Sequence, residues 1–390
     1  VNAPRGGSAV IVGGGIGGLA TGLALQGIGW TVTVLEGSAS LGEAGAGMSL
    51  SPNALACLDA LGVGERARAL GVPFHGPFDL RTPAGRRLVT ARPGTPSPLL
   101  GFHRADLHGL LGEALTRSSV RTGVKVTGVH RDGGGVVVSS TAGELRADAV
   151  IGADGAHSTV RGSCWPESLP PRFTGGTVWR GIAAVPLERG FMVMGPGAYA
   201  LAMPVARGRV YWAHVRRCAR PGLRHEDERG AVLDRIEGWP ADLRALVEAT
   251  PPEAVLHHDV FDLAPLPDLA RRRVALVGDA AHLMCPDLAQ GAGQALEDAV
   301  VLARSLDATG DVDAALARYN SERRPRSQWV AAQARANARQ NLSGGRAGHA
   351  ALVATTALVP SSLWPRFAEA GLARLWGWRP PVRPERTAGG

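Results

Sequence analysis

Lysine is nearly missing from this chain: Lys125 is the only one, so almost all of the 42 basic residues are arginine. Against 34 acidic residues they give a formal charge of +8 and a pI near 10.2. Charge of that sign draws a protein to nucleic acid or anionic membranes when it is gathered into a patch. Here the arginines are scattered among Ala, Gly and Pro, as a coding bias would scatter them, and only Arg271-Arg272-Arg273 forms a cluster. No nucleic-acid partner is expected. Cysteine is scarce too. Cys57, Cys164, Cys218 and Cys285 stand far apart, with no CxxC pair and no secretory n-region ahead of them. That argues against a disulfide scaffold and against a zinc site, so no metal is expected and the expected location is cytoplasmic. Long apolar runs are lacking as well: the stretch from Ala9 to Leu25 is too rich in glycine to cross a bilayer, and no integral membrane segment is expected. No internal repeat is visible. What remains is a 390-residue, 45% hydrophobic chain, able to bury a large core in two domains and an extension.

Two glycine-punctuated stretches lie far apart, and their pairing is informative. The first, Gly13-Gly14-Gly15-Ile16-Gly17-Gly18, follows the β-branched run Ala9-Val10-Ile11-Val12 and precedes a helical pattern through Leu19, Leu23 and Leu25. Thr31 to Leu35 then reads as a second strand, ending at Glu36. This strand–glycine–helix–strand context is what a bare GxGxxG lacks. Gly13 allows a tight turn, Gly15 lets the backbone approach a pyrophosphate, and Gly18 lets helix and strand pack closely. The helix N-terminus, beginning at Ile16 and Gly17, offers free N–H donors to phosphates. Glu36 stands where a carboxylate accepts ribose hydroxyls.

The second stretch separates FAD from NAD. Arg273 to Val277 reads as another buried strand, with Asp279 at its carboxyl end, where it can accept from the hydroxyls of a ribityl chain. Pro286-Asp287-Leu288-Ala289-Gln290 leads to Gly291, Ala292 and Gly293, whose small side chains open a helix toward the flavin pyrimidine edge. A nicotinamide dehydrogenase has no need for this second element.

Together with Gly45-Ala46-Gly47-Met48, Pro52-Asn53-Ala54, Arg104 after His103, Asp148 through Asp154-Gly155 to Arg161, and Trp179-Arg180-Gly181, these motifs run in the order found in one family. Over roughly residues 8–340 the chain resembles the group A FAD-dependent aromatic monooxygenases, the p-hydroxybenzoate hydroxylase superfamily, and within it the salicylate, urate and 6-hydroxynicotinate hydroxylase-like branch. One glycine of the family's flavin loop is replaced by Ala289. The resemblance implies an α/β fold. A Rossmann-like FAD-binding domain with a parallel sheet would cover 1–73, 103–170 and 271–340. A mostly antiparallel β-sheet substrate domain would cover 74–102 and 171–270, as a roof over the flavin, with C-terminal helices and a tail over 341–390.

The resemblance also assigns roles. Gly47 and Met48 belong to a flavin-facing loop, Arg104 contacts FAD near its phosphates and ribityl chain, and Val126 meets adenine through its backbone. Asp154 and Gly155 order the loop below the pyrophosphate, Asp279 holds the ribityl chain, and Pro286 lies at the flavin edge. Arg180, Tyr211 and Asp287 match active-site positions, although structural pairing or strand packing would explain each as well. Trp212 and His214 share a strand face opposite Tyr211 and cannot line the same pocket. The five methionines, Met48, Met192, Met194, Met203 and Met284, fall in flavin loops or on the roof, which leans toward a bulky apolar substrate. The activity implied is consumption of NADPH or NADH and O2 to hydroxylate or epoxidise an aromatic or polycyclic small molecule through a flavin C4a-hydroperoxide. A flavin reductase or dehydrogenase on the same scaffold, returning no oxygen, is the alternative. Either a monomer or a homodimer would serve.

Overall fold

In the computed structural model, which describes residues 6–42, 47–75, 79–89, 96–116, 119–187, 189–205, 208–343, 345–358 and 372–381, the first apolar run forms β1 (Ser8–Val12), buried over its last four residues. The chain turns at glycine into α1 (Ile16–Gln26) and returns as β2 (Thr31–Leu35), parallel to β1. Gly45 and Ala46 lie outside the described residues. β3 (Gly47–Leu50), α2 (Pro52–Ala60), α3 (Gly64–Leu70) and β4 (Val72–His75) follow. Next come β5 (Asp79–Arg81), β6 (Arg87–Val89) and β7 (Pro96–His103). β7 pairs antiparallel with β3 and β4, in a small sheet of its own. Of the segment 74–102 assigned to the roof, β5 and β6 are the described strands that join the larger antiparallel sheet.

α4 (Arg104–Ala114) leads to β8 (Val120–Arg121), which extends the parallel sheet beside β2. β9 (Val126–Asp132), β10 (Gly135–Ser140) and β11 (Gly143–Ala147) form an antiparallel ribbon, and β12 (Ala149–Gly152) re-enters the parallel sheet next to β1, ahead of α5 (Thr159–Cys164). The roof comes next: β13 (Arg172–Ala183), β14 (Phe191–Gly195), β15 (Ala198–Val205), β16 (Arg209–Arg217), helices α6 (Glu228–Arg235) and α7 (Ala241–Glu248), and β17 (Leu256–Asp262). Its order is β17-β13-β16-β15-β14-β5-β6, antiparallel except where β14 meets β5. The chain closes with β18 (Ala270–Arg271), β19 (Val274–Leu276), α8 (Asp279–His282), α9 (Gly291–Ala308), α10 (Val312–Leu342) and α11 (Arg346–Leu358). The parallel sheet therefore reads β18-β19-β12-β1-β2-β8, with only the β18 edge antiparallel.

Alternation along the roof strands sends side chains to two different cores. Trp179, Trp212, Val193 and Ala200 pack outward against Val232 of α6 and Leu243 and Leu246 of α7. Val178, Met194, Tyr199, Ala213 and Val215 face inward, with Met284, Cys285 and residues of α10. His214 belongs to the outer face, edge-on to Trp239, where burial drives its pKa to about 3. It sits neutral and away from Tyr211. The arginine cluster is a strained, tied-down turn rather than a free patch: Arg272 and Arg273 hold φ of 47° and 66°, while Arg271 pairs with Glu167 and Asp268. At the C-terminal end, residues 372–376 are helical and Leu375 buries beside Met284 and Val330, while 359–371 and 382–390 lie outside the described residues.

Candidate functional site

The parallel sheet delivers its strand ends to one place. Beyond β1, β2, β12 and β19, residues Gly13, Glu36, Asp154 and Asp279 all line a single cleft of about 470 Å³. Open α/β sheets bind ligands at such carboxyl-end crevices. Gly15, Ile16 and Gly17 line it as well, at the N-terminus of α1, so the free N–H groups there face the cleft. Gly18 does not line it and acts by packing. Gly13 holds φ of 105°, and a Cβ on Gly18 would lie 1.9 Å from the Gly13 carbonyl oxygen. Only this pair of glycines lets helix start directly above strand.

At one end of the cleft, Glu36 accepts the N–H groups of Gly14 and Ser38, each at 2.7 Å. Burial raises its proton affinity, but the donors from Ser38 and Gly14 outweigh it and leave the carboxyl below its ordinary range. Val126 lines this same cleft. Asp154 accepts the Ser158 hydroxyl and, at 3.0 Å, the Val160 N–H, so its role is to order the loop that also presents Gly155. At the other end, Asp279 presents its carboxylate to the open cleft, at the start of α8. Burial raises its pKa, against the pull of His282 and Arg104. Arg104 also lines the cleft, and burial lowers its own pKa while Asp279 opposes and Arg180 adds to the shift. Gly291 and Ala292, at the start of α9, complete the lining. A Cβ on Gly155 or Gly291 would meet no atom within 4 Å, so the cradle is open at both backbones. The donor set fits a dinucleotide: N–H groups for phosphates in the middle, and a carboxylate for hydroxyls at each end.

A buried polar network holds the Asp279 end in place. Arg323, on α10, donates to Asp298 Oδ1 at 2.7 Å, to Gln294 Oε1 at 2.8 Å and to Glu297. Asp298 in turn accepts the Gly278 N–H at 2.8 Å and His282 Nε2 at 2.6 Å. Burial would raise the Asp298 pKa, yet His282 and Arg323 hold it below the ordinary range. Glu297 accepts from Asn53 Nδ2 at 2.8 Å and from Arg326 at 2.6 Å, and Asn53 also reaches Gln290 Oε1 at 3.0 Å. The start of α2, the loop before α9 and the Gly278-Asp279 turn thus share one buried hydrogen-bond network. Ala289, at the position where the resembling family has glycine, adopts φ of 52°, so alanine carries the left-handed conformation that glycine takes freely.

Under the roof, Arg180 and Tyr211 meet. Burial raises the Tyr211 pKa, while hydrogen bonding and charge from Arg180 pull it down. Arg180 Nη2 also lies 3.4 Å from His258 Nδ1, and its Nε is buried without a partner among the described residues. Gly47 packs against Tyr211: a Cβ there would fall 2.2 Å from Tyr211 Cβ. Met48 follows on β3 and packs against the main core. Asp287 is not paired with Arg180. Its Oδ1 accepts Tyr199 Oη at 3.1 Å and Asn341 Nδ2 at 2.9 Å, and burial raises its pKa. Pro286 is exposed beside it, and Gly293 sits within α9, its would-be Cβ 3.3 Å from Gln290 Oε1. Tyr199, Asn341, His258 and Arg323 escaped the sequence reading. The one available signal was Glu297-Asp298 between apolar residues of α9, where two adjacent buried carboxylates require a cation.

The FAD binding domain family model matches residues 8–170 and 266–334. Among curated proteins, the chain is 35% identical over 324 residues to aurachin C monooxygenase/isomerase of Stigmatella aurantiaca, covering 80% of this chain and 84% of that one. It is 34% identical over 397 residues to 3-hydroxybenzoate 6-hydroxylase of Klebsiella oxytoca, covering 95% and 96%. Among solved structures, Klebsiella pneumoniae HpxO complexed with FAD and uric acid superposes with a TM-score of 0.84 at 27% identity, covering 92% of this chain and 95% of that one.

Proposed function

The chain belongs to the FAD-dependent aromatic hydroxylases, a family of flavoprotein monooxygenases, and on that premise we propose that it uses O2 and NADPH or NADH to hydroxylate or epoxidise an aromatic or polycyclic small molecule. One observation supports the reading: Arg104, which lines the cleft with Asp279, feels the charge of Arg180, and Gly47 packs on Tyr211, so we take the cleft and the underside of the roof as one site. In this reading the α1 N-terminus holds the pyrophosphate, Glu36 the adenosine ribose and Asp279 the ribityl chain. The N–H groups opening α9 meet the pyrimidine edge, where negative charge gathers on reduction. FAD, when bound, supplies the activation of O2 and the transfer of one oxygen atom.

The protein's own part is placement and exclusion of water. The inner roof face is apolar, with Met192, Met194, Leu201 and Ala213, and it shields the reacting groups from solvent. Similarity to enzymes named for aurachin C and 3-hydroxybenzoate supports an aromatic ring below it, and adaptable methionines suit a bulky one. Arg180, with a donor left over, binds an oxygen of that ring: a carbonyl, a carboxylate or a phenolate. Tyr211 orients the guanidinium and shares the substrate oxygen. Asp287 positions Tyr199, on the same inner face of the roof, and so acts through it. No helix among the described residues is long and apolar enough to cross a membrane.

Isotopically labelled dioxygen tests the reading. Label is expected in product, one atom for each NAD(P)H consumed; fully coupled turnover with no label would sink it. Arg180→Ala should keep FAD bound while product per NAD(P)H falls about tenfold, since one charge-assisted contact is worth roughly 1.5–3 kcal/mol. Peroxide assay and product analysis on the same samples check this. Unchanged coupling would make Arg180 structural.

A further inference from the structure

The roof and α10 enclose a second cleft, of about 1060 Å³, that the proposed chemistry does not use. Arg172, Arg217, Arg335 and Arg339 line it, against one carboxylate, Asp262, while the Arg216 side chain follows His214 to the other face of β16. That carboxylate is already committed: it is buried and accepts Nε of both Arg172, at 2.5 Å, and Arg335. Arg217 and Arg339 are exposed and have no carboxylate partner among the described residues. The cleft therefore keeps a surplus of guanidinium charge, with two forks facing solvent. Its wall includes buried Cys285, the residue before Pro286 in the loop that leads to Gln290 and α9.

A cationic concavity bordering the flavin-side loop is suited to a ligand that is anionic at one end and must reach that loop with the other. Among the described residues the parallel sheet offers one such crevice, and in the reading above the flavin takes it. A second nucleotide needs its phosphates neutralised elsewhere. Guanidinium forks match phosphate oxygens in shape and charge. Resting on the proposed use of NAD(P)H, we propose that this arginine cleft binds the phosphate groups of the nicotinamide dinucleotide that reduces the flavin, and that it favours the 2′-phosphorylated form.

The FAD-loaded protein, titrated calorimetrically with 2′,5′-ADP and with NADP+, is expected to bind both, more weakly as salt is raised. In the double variant Arg217→Ser, Arg339→Ser, the Kd for both probes should rise about tenfold or more, about 1.4 kcal/mol or more. The NADPH concentration giving half-maximal anaerobic flavin reduction should rise in parallel, with the limiting rate and the FAD content unchanged. NADH should lose less. Wild-type protein that fails to bind 2′,5′-ADP, or a double variant whose affinity changes less than about twofold, overturns the proposal. If the double variant does not fold, the two single variants carry the same comparison. Should neither nucleotide reduce the wild-type flavin, the reductant reading fails, and the 2′,5′-ADP titration still decides the cleft.

Discussion

Asp279→Ala is expected to purify as a folded protein stripped of most of its flavin. Asp279 sits at the N-terminus of a short helix and opens onto the cleft, so its loss leaves the fold's core untouched while removing the acceptor proposed for the ribityl hydroxyls. A hydrogen bond to a charged group is worth about 1.5–3 kcal/mol, which is roughly a ten- to hundredfold loss in affinity for FAD. The pH dependence has a definite sign. Burial raises the Asp279 pKa, so on acidification its carboxylate takes up a proton earlier than an ordinary aspartate, near pH 4, would. Flavin release from the wild type should therefore begin above that pH, and the alanine variant should lack this phase. Flavin fluorescence after ultrafiltration across pH measures both. Full flavin content in Asp279→Ala would remove Asp279 from the site.

Arg323→Ala is expected to damage folding and flavin binding together. The guanidinium is 1% exposed and is shared by Glu297 and Asp298, both fully buried. Breaking such a pair from one side costs about 3–5 kcal/mol, because the remaining charge stays buried and uncompensated. Glu297 keeps Arg326 and Asp298 keeps His282, so the penalty should fall at the lower end of that range. Asp298 fixes the Gly278 N–H, and Gly278 precedes Asp279, so the flavin end of the cleft should loosen as well. Because the folded-state pKa of Asp298 is depressed, its stabilisation exists above the unfolded value and is lost as pH falls through the folded one. The wild type should show that acid-side loss in urea titrations, and the variant should show less of it. Equal stability at neutral pH would mean that the network is ornamental.

Local patterning made the nucleotide half of the protein legible. β1, α1 and β2 follow from a β-branched run, a glycine turn and a leucine spacing, all within about thirty residues. The same patterning placed Asp279 at a strand end and opened α9 at Gly291. Burial of the two faces of β16 followed from alternation, which put His214 and Tyr211 on opposite sides. What stayed hidden depends on distant partners. β7 could not be seen leaving the roof, because its pairing with β3 is a register choice between segments fifty residues apart. Tyr199 and Asn341 meet Asp287 across 88 and 54 positions, which no periodicity reports. Arg323 looked like one arginine among many, and only its burial between two carboxylates sets it apart. Arg180 and Tyr211 were legible only through family likeness; the contact between them belongs to the three-dimensional structure.

The most direct measurement is a crystal structure of the protein grown with FAD. The adenosine should lie beside Glu36 and Val126, the pyrophosphate at the α1 N-terminus and the ribityl chain on Asp279, with the ring system below Arg180 and Tyr211. A flavin bound in the reverse direction, or anywhere outside that cleft, would contradict the account.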